Sequence, residues 1–289
     1  MSDQLRPLRS LLYMPAANAR ALEKAKDIPC DGIIFDLEDA VAPESKPLAR
    51  VQATAAATSG DYGRRELTIR CNALSTPWGA EDLAAAGAAR PSAVVIPKVD
   101  STADLDAVAS ALDAAGGAST AIWAMIETPT AIFDIRAIAA HERVTVLVLG
   151  TNDLAKELRA PLLKNRWNLL SYMATAVLGA REAGKVVLDG VYNDIKDPEG
   201  FAEECRQGVE MGFDGKTLVH PSQVEPANAA WSPTDDEIEL SGRIIAAYEE
   251  AEADGRGVVT VDGKMVEHLH VATARRTLAI ADAIATHTR

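Results

Sequence analysis

Eight short apolar runs, at positions 10–14, 31–36, 67–71, 93–97, 121–127, 144–149, 185–189 and 215–219, punctuate this chain. Between them apolar residues return at helical spacing, which predicts helices over 19–26, 43–58, 78–89, 103–115, 130–140, 168–184 and 198–211. The runs are far shorter than the roughly 20 residues of a membrane helix and fit strands buried on both faces. Pro15, Pro97 and Pro129 stop three of them, because proline cannot continue a ladder. Asn18 suits a helix N-cap, and Gly116-Gly117, Gly184 and Gly212 suit helix ends. Eight strands alternating with helices are the number that closes a (β/α)₈ barrel, the TIM-barrel arrangement. An open doubly wound sheet would carry a glycine-rich phosphate turn after its first strand, and Met14-Pro15-Ala16-Ala17-Asn18 is not one.

Residues 1–221 are therefore read as the barrel and its catalytic domain. Residues 222–289 are read as a C-terminal helical extension that contacts a neighbouring subunit. Within it the pattern predicts a helix at 233–252, a short strand at 258–261, a hairpin turn at Asp262-Gly263 and a helix at 270–286.

The polar residues sharpen the picture. Asp36, Arg70, Lys98, Glu127, Asp153, Asp189 and His220 all fall at or just past strand ends. In a (β/α)₈ barrel those ends share the face where catalysis sits. Any one of them alone reads as a loop residue or an ion pair; seven on seven strands point to a site. Glu127 ends the most apolar strand and needs a partner, because a buried carboxylate is costly alone. Two readings are open: Glu127 and Asp153 hold a divalent cation such as Mg²⁺, or Glu127 pairs with Lys98 or Arg70. Arg70 suits a substrate carboxylate or a developing oxyanion, and equally an ion pair with Asp36, Glu38 or Asp39. His220 is either a general base or a histidine that shapes its loop. His268 and His270 would not share a helix face, which weakens them as a metal pair.

Charge and cysteine content narrow the class. With 29 Lys and Arg against 42 Asp and Glu the net charge is −13, which argues against nucleic-acid binding. The three cysteines are widely spaced and odd in number, so neither a disulfide framework nor a structural zinc site is expected. No signal peptide and no membrane span is read, and the expected compartment is the cytoplasm.

The motifs then carry a resemblance. Arg9-Ser10-Leu11-Leu12-Tyr13-Met14-Pro15, followed by Phe35-Asp36-Leu37-Glu38-Asp39-Ala40-Val41, resembles the signature of the citrate lyase β-subunit-like proteins. These belong to the HpcH/HpaI aldolase superfamily, with the malyl-CoA and citramalyl-CoA lyases. Ile69-Arg70, Ile96-Pro97-Lys98-Val99, Ile126-Glu127-Thr128-Pro129, Gly150-Thr151-Asn152-Asp153-Leu154 and His220-Pro221-Ser222-Gln223-Val224 follow in the family's order. The resemblance implies a Mg²⁺-dependent lyase that cleaves or forms a carbon–carbon bond in a 3-hydroxyacyl-CoA such as malyl-CoA. Its partners would be an acyl-CoA and a 2-oxo acid, and its assembly a homotrimer or hexamer. Glu127 and Asp153 match the family's metal ligands. Arg70 matches its substrate arginine, with Asp36 beside it in the catalytic set. Asn18, Arg20 and Lys24 lie where relatives hold CoA. Family lyases carry an aspartate in the C-terminal extension that reaches a neighbour's site, and here Glu267 of Met265-Val266-Glu267 stands in its place. The alternatives are a malyl-CoA thioesterase at the same site, or a CoA-ester-binding or acyl-carrier-dependent subunit without independent activity.

Overall fold

The computed structural model describes residues 6–287. Its eight parallel strands are β1 (Ser10–Pro15), β2 (Gly32–Asp36), β3 (Glu66–Arg70), β4 (Ala93–Ile96), β5 (Ala121–Ile126), β6 (Val144–Leu149), β7 (Val186–Asp189) and β8 (Gly215–Leu218). They pair in chain order, and β8 returns to β1 through Ser10↔Lys216 to Leu12↔Leu218, so the barrel is closed. The helices are α1 (Ala19–Ala25), α2 (Lys46–Thr58), α3 (Gly79–Ala89), α4 (Thr102–Ala114), α5 (Pro129–Phe133), α6 (Ile135–Ala140), α7 (Thr151–Glu157), α8 (Leu170–Glu182), α9 (Pro198–Met211) and α10 (Val224–Ala230). The expected (β/α)₈ barrel is the observed architecture.

Alternation along the strands decides what fills the barrel. Leu11, Ile34, Val95, Trp123, Val148 and Leu188 meet in one buried cluster, although they come from six strands. Side chains one residue along, such as Leu12, Ile33 and Leu147, are equally buried. Most of the strands are thus apolar on both faces, which is why their runs read as continuous rather than alternating. At the start of β1, Arg9 clasps Asp31 with Nε–Oδ2 of 2.8 Å and Nη2–Oδ1 of 2.6 Å.

The helices depart from expectation at four places. The segment from Pro43 opens as a 3₁₀ turn, Pro43–Ser45, before α2 begins. The helix expected over 130–140 breaks at Asp134, whose φ of −98° and ψ of 9° separate α5 from α6. Residues 151–157, for which no helix is expected, form α7. Helix α10 was not predicted; it follows the turn Pro221–Gln223.

Leu8–Ala230 forms one compact unit, and the chain from Trp231 onward belongs to a second. The second contains α11 (Asp235–Ala253), an antiparallel hairpin of β9 (Val259–Val261) and β10 (Lys264–Val266), and α12 (His268–His287). Thr234 and Glu237 form a reciprocal capping box at the start of α11. Tyr248, Val266 and Val271 form this unit's own apolar core. Among the described residues no helix is long and apolar enough to cross a membrane.

Trp123 is the largest fully buried side chain and stands in the barrel core. Trp123→Ala is expected to destabilise the protein by about 3–5 kcal/mol, read from the shift of a denaturant unfolding curve.

Candidate functional site

The alternation that fills the core also aims the polar residues. Two positions beyond the core residues Leu11, Ile34, Met125 and Val148 stand Tyr13, Asp36, Glu127 and Gly150. All four line one cavity of about 340 Å³ at the C-terminal ends of the strands, together with Arg70 and Asp153. The structure therefore brings together four residues expected from the sequence, Asp36, Arg70, Glu127 and Asp153.

Arg70 and Asp36 meet as two forks. Arg70 Nε donates to Asp36 Oδ1 at 2.7 Å and Nη2 to Oδ2 at 2.7 Å. Arg70 Nη1 lies 2.7 Å from Glu38 Oε2, and the guanidinium stacks 4.7 Å above the Tyr13 ring. The ion-pair reading of Arg70 is thus correct, with Asp39 Oδ2 also 3.6 Å from Nη1, and the N–H capacity left for a ligand is chiefly on Nη2. Burial opposes its charge, but Asp36, Tyr13 and Glu38 raise its pKa above the ordinary arginine value. Backbone N–H groups of Glu38 and Ala40 donate to the two Asp36 oxygens, at 2.9 and 3.1 Å. Lys46 ties down the same loop from below. Its buried ammonium donates to the carbonyls of Leu37 and Glu38 and to Asn72 Oδ1, and it packs on the Trp78 ring.

Glu127 has no such partner. It is 2% exposed, and among the described residues it has no ion pair; its Oε1 accepts from the backbone N–H of Lys98 at 2.8 Å. Lys98 takes a left-handed φ of 51°, unusual for a side-chain-bearing residue. Burial pushes the Glu127 carboxyl up to about 8, with the charges of Asp153 and Glu38 adding to it. Burial likewise lifts Glu38 to about 7 in spite of Arg70. Asp153 lies on the first turn of α7, with Lys98 Nζ 3.8 Å from its Oδ1. Gly150 joins the two acids: a Cβ there would fall 2.3 Å from Glu127 Oε2. The cavity therefore concentrates negative charge that the protein only partly neutralises.

The remaining expected residues have other surroundings. Asn18 caps α1 by accepting from Ala21 N at 3.1 Å. Arg20 and Lys24 are exposed, four residues apart on one helix face, and lack ion-pair partners among the described residues. None of the three lines the cavity. Asp189 is drawn into a buried ion cluster with Arg166 and Lys216. His220 is exposed, and its Nδ1 meets Ser222 Oγ at 2.8 Å, the loop-shaping arrangement. Glu267 belongs to the C-terminal unit, between β10 and α12, where its N–H donates to His270 Nδ1 at 3.0 Å.

Sequence reasoning missed Tyr13, Lys46 and the reciprocal amide pair of Asn152 and Asn193 at the cavity wall. Strand parity signals Tyr13, but nothing in the sequence marks Lys46 or the asparagine pair.

The chain resembles known proteins over nearly its whole length. The family model for HpcH/HpaI aldolase/citrate lyase matches residues 9–221. A protein named (3S)-malyl-CoA thioesterase from Cereibacter sphaeroides is 50% identical over 99% of this chain and 98% of its own. The citrate lyase subunit beta of Escherichia coli K12 is 34% identical over 96% of this chain and 94% of its own. The CitE protein of Mycobacterium tuberculosis, solved in complex with magnesium, acetoacetate and coenzyme A, superposes with a TM-score of 0.78 at 28% identity. That match covers 94% of this chain and 97% of the other.

The raised Glu127 pKa has a signed consequence in metal-free protein. Native Glu127 keeps its proton up to about pH 8, whereas the unfolded side chain loses it near its ordinary value of 4.5. The native state therefore binds the extra proton between those values, and stability falls as pH rises through that window. Glu127→Gln removes this dependence. Its Tm is expected to exceed the parent's at pH 9 and to converge with it near pH 4, measured by calorimetry in the presence of a chelator.

Proposed function

The chain belongs to the HpcH/HpaI aldolase/citrate lyase family, and we propose that it hydrolyses the thioester of a malyl-CoA-type hydroxyacyl-CoA at a Mg²⁺ site formed by Glu127 and Asp153. The observation that carries the reading is full-length similarity, at 50% identity, to proteins named (3S)-malyl-CoA thioesterase. Glu267, where family lyases carry the shorter aspartate, agrees with it.

The residues fit the metal. Glu127 and Asp153 offer hard carboxylate oxygens in a pocket with surplus negative charge. Among the described residues no group of three His, Cys, Asp or Glu side chains is placed to hold an ion. Two carboxylates with water and substrate completing the shell is the usual Mg²⁺ arrangement, whereas zinc or calcium takes more protein donors. Bound there, Mg²⁺ supplies the positive charge that orients and polarises the hydroxyacid end of the substrate.

The chain's own residues do the rest. Asp36 and Glu38 hold Arg70 flat against Tyr13, so its unused N–H groups have a fixed direction. Aimed at the thioester oxygen, they stabilise the negative charge that develops as water adds to the carbonyl carbon. Collapse of that adduct releases the CoA thiolate, which takes up a proton, and leaves a hydroxydicarboxylic acid. Lys98 balances Asp153 and turns its backbone N–H onto Glu127, which fixes both acids. Asn18, Arg20 and Lys24 are the proposed contacts to the CoA phosphates, where their exposure and local positive charge suit a mobile anionic ligand. The assembly in this reading is a homotrimer or hexamer in the cytoplasm, with the C-terminal unit contacting a neighbouring subunit.

A second reading is carbon–carbon cleavage to a 2-oxo acid and acetyl-CoA, favoured by the 34% identical citrate lyase subunit beta. There Arg70 would face the thioester enolate, and Glu267 from an adjacent subunit would protonate its carbon.

Purified protein supplied with malyl-CoA and Mg²⁺ is expected to yield malate and free CoA; glyoxylate and acetyl-CoA as the products would establish the second reading instead. No turnover of any free CoA ester would sink both. Glu127→Gln and Asp153→Asn are each expected to lower Mg²⁺-dependent turnover at least about 100-fold with the circular dichroism spectrum unchanged. Glu267→Ala separates the two chemistries. Loss of general-acid help would cost a lyase about 10²–10⁴-fold in kcat with Mg²⁺ affinity intact, whereas hydrolysis should change only a few-fold.

A further inference from the structure

A set of charged side chains that the cavity does not use lies buried within the barrel unit. Lys216, Asp189, Arg166 and Glu204 are 0%, 0%, 4% and 6% exposed. Lys216 Nζ donates to Asp189 Oδ2 at 2.8 Å and to Glu204 Oε1 at 2.7 Å. Arg166 Nη1 donates to Asp189 Oδ1 at 2.7 Å and lies 3.4 Å from Glu204 Oε1. Two positive and two negative charges cancel, and the partners satisfy one another. As a source of stability it is a weak device, because desolvation offsets most of the attraction.

What the cluster grips is one glycine. Asp189 Oδ1 accepts from the N–H of Gly190 at 2.8 Å, and Lys216 Nζ donates to the carbonyl of the same residue. Both backbone polar groups of Gly190 are thus held by buried charges. Gly190 in turn presses on the corner that carries the acids of the site. A Cβ on Gly190 would fall 2.6 Å from Thr151 Oγ1 and 2.8 Å from the Leu149 carbonyl. Thr151 opens α7, two residues before Asp153, and the adjoining Gly150 packs against the Glu127 carboxylate. An unbroken line of close contacts runs from Lys216 through Gly190 and Thr151 to the corner between Asp153 and Glu127.

We propose that Lys216 and Asp189 are positioning residues for the metal site: they clamp Gly190 against Thr151 and so set where Asp153 stands relative to Glu127. This rests on the reading of Glu127 and Asp153 as the Mg²⁺ ligands. The clamp explains why a lysine lies wholly buried inside a strand of an apolar barrel. It also explains why position 190 is glycine, since any side chain would push α7 away from β7.

The test is Mg²⁺ affinity by titration calorimetry, with Tm recorded for each protein. Lys216→Met is expected to lower Tm and to weaken Mg²⁺ binding at least tenfold. Asp31→Asn is the control: it breaks a buried ion pair at the start of the first two strands, so it should lower Tm and leave Mg²⁺ affinity within twofold. Lys216→Met that folds and binds Mg²⁺ like the parent overturns the proposal, because a purely structural role would lower Tm alone. Should Lys216→Met fail to fold, Gly190→Ala decides. It keeps all four charges and crowds Thr151, and it supports the clamp if binding weakens tenfold and overturns it if binding is unchanged. Parent protein that binds no Mg²⁺ overturns the metal reading itself, and the clamp with it.

Discussion

Period-two alternation along β5 ties the core to the chemistry. Trp123 and Met125 belong to the core cluster, and Glu127, two residues beyond Met125, lines the cavity. A one-residue slip of the strand would move all three to the opposite face. The same rule on β1, β2 and β6 delivers Tyr13, Asp36 and Gly150 to that cavity. The site is thus the uppermost layer of the barrel core, with polar residues where the layers below have apolar ones. Its precision comes from core packing rather than from loops.

That origin explains how the electrostatics are arranged. On one side, Asp36, Glu38 and Arg70 form a closed ion network, braced by Lys46 from beneath. On the other, Glu127 and Asp153 stand with a single lysine at 3.8 Å from Asp153. Both sides set more acid than base. The first is tied together by direct hydrogen bonds between Arg70 and its acids, whereas among the described residues no cation pairs with Glu127, whose burial raises its carboxyl pKa. A buried acid left without such a partner in a cleft is characteristic of a binding site.

Much of this was legible in the sequence, because apolar runs and proline stops fix strand ends, and strand ends fix the catalytic face. Asp36, Arg70, Glu127 and Asp153 were found that way. Asp189 and His220 obey the same rule and yet face other duties, since a position after a strand says nothing about which neighbour a side chain meets. Lys216 escaped notice for the converse reason: one lysine in an apolar strand looks like a solvent-facing residue until three distant partners are in place. Helix α7 is not among the expected helices, and Gly150-Thr151-Asn152-Asp153 is rich in turn formers. Those residues instead start a helix whose length comes from packing, as the buried Leu154 and Ala155 show. Glu267 was singled out by resemblance alone, and its own unit tells only of a hydrogen bond with His270.

Lys98 carries a consequence for attempts to improve this protein. Its φ of 51° lies in the region where glycine is relaxed and a lysine is strained. A library screened for heat resistance would favour glycine there, because the backbone strain would vanish. The same exchange would remove the ammonium nearest Asp153. Selection for robustness and selection for turnover would therefore pull this residue in opposite directions.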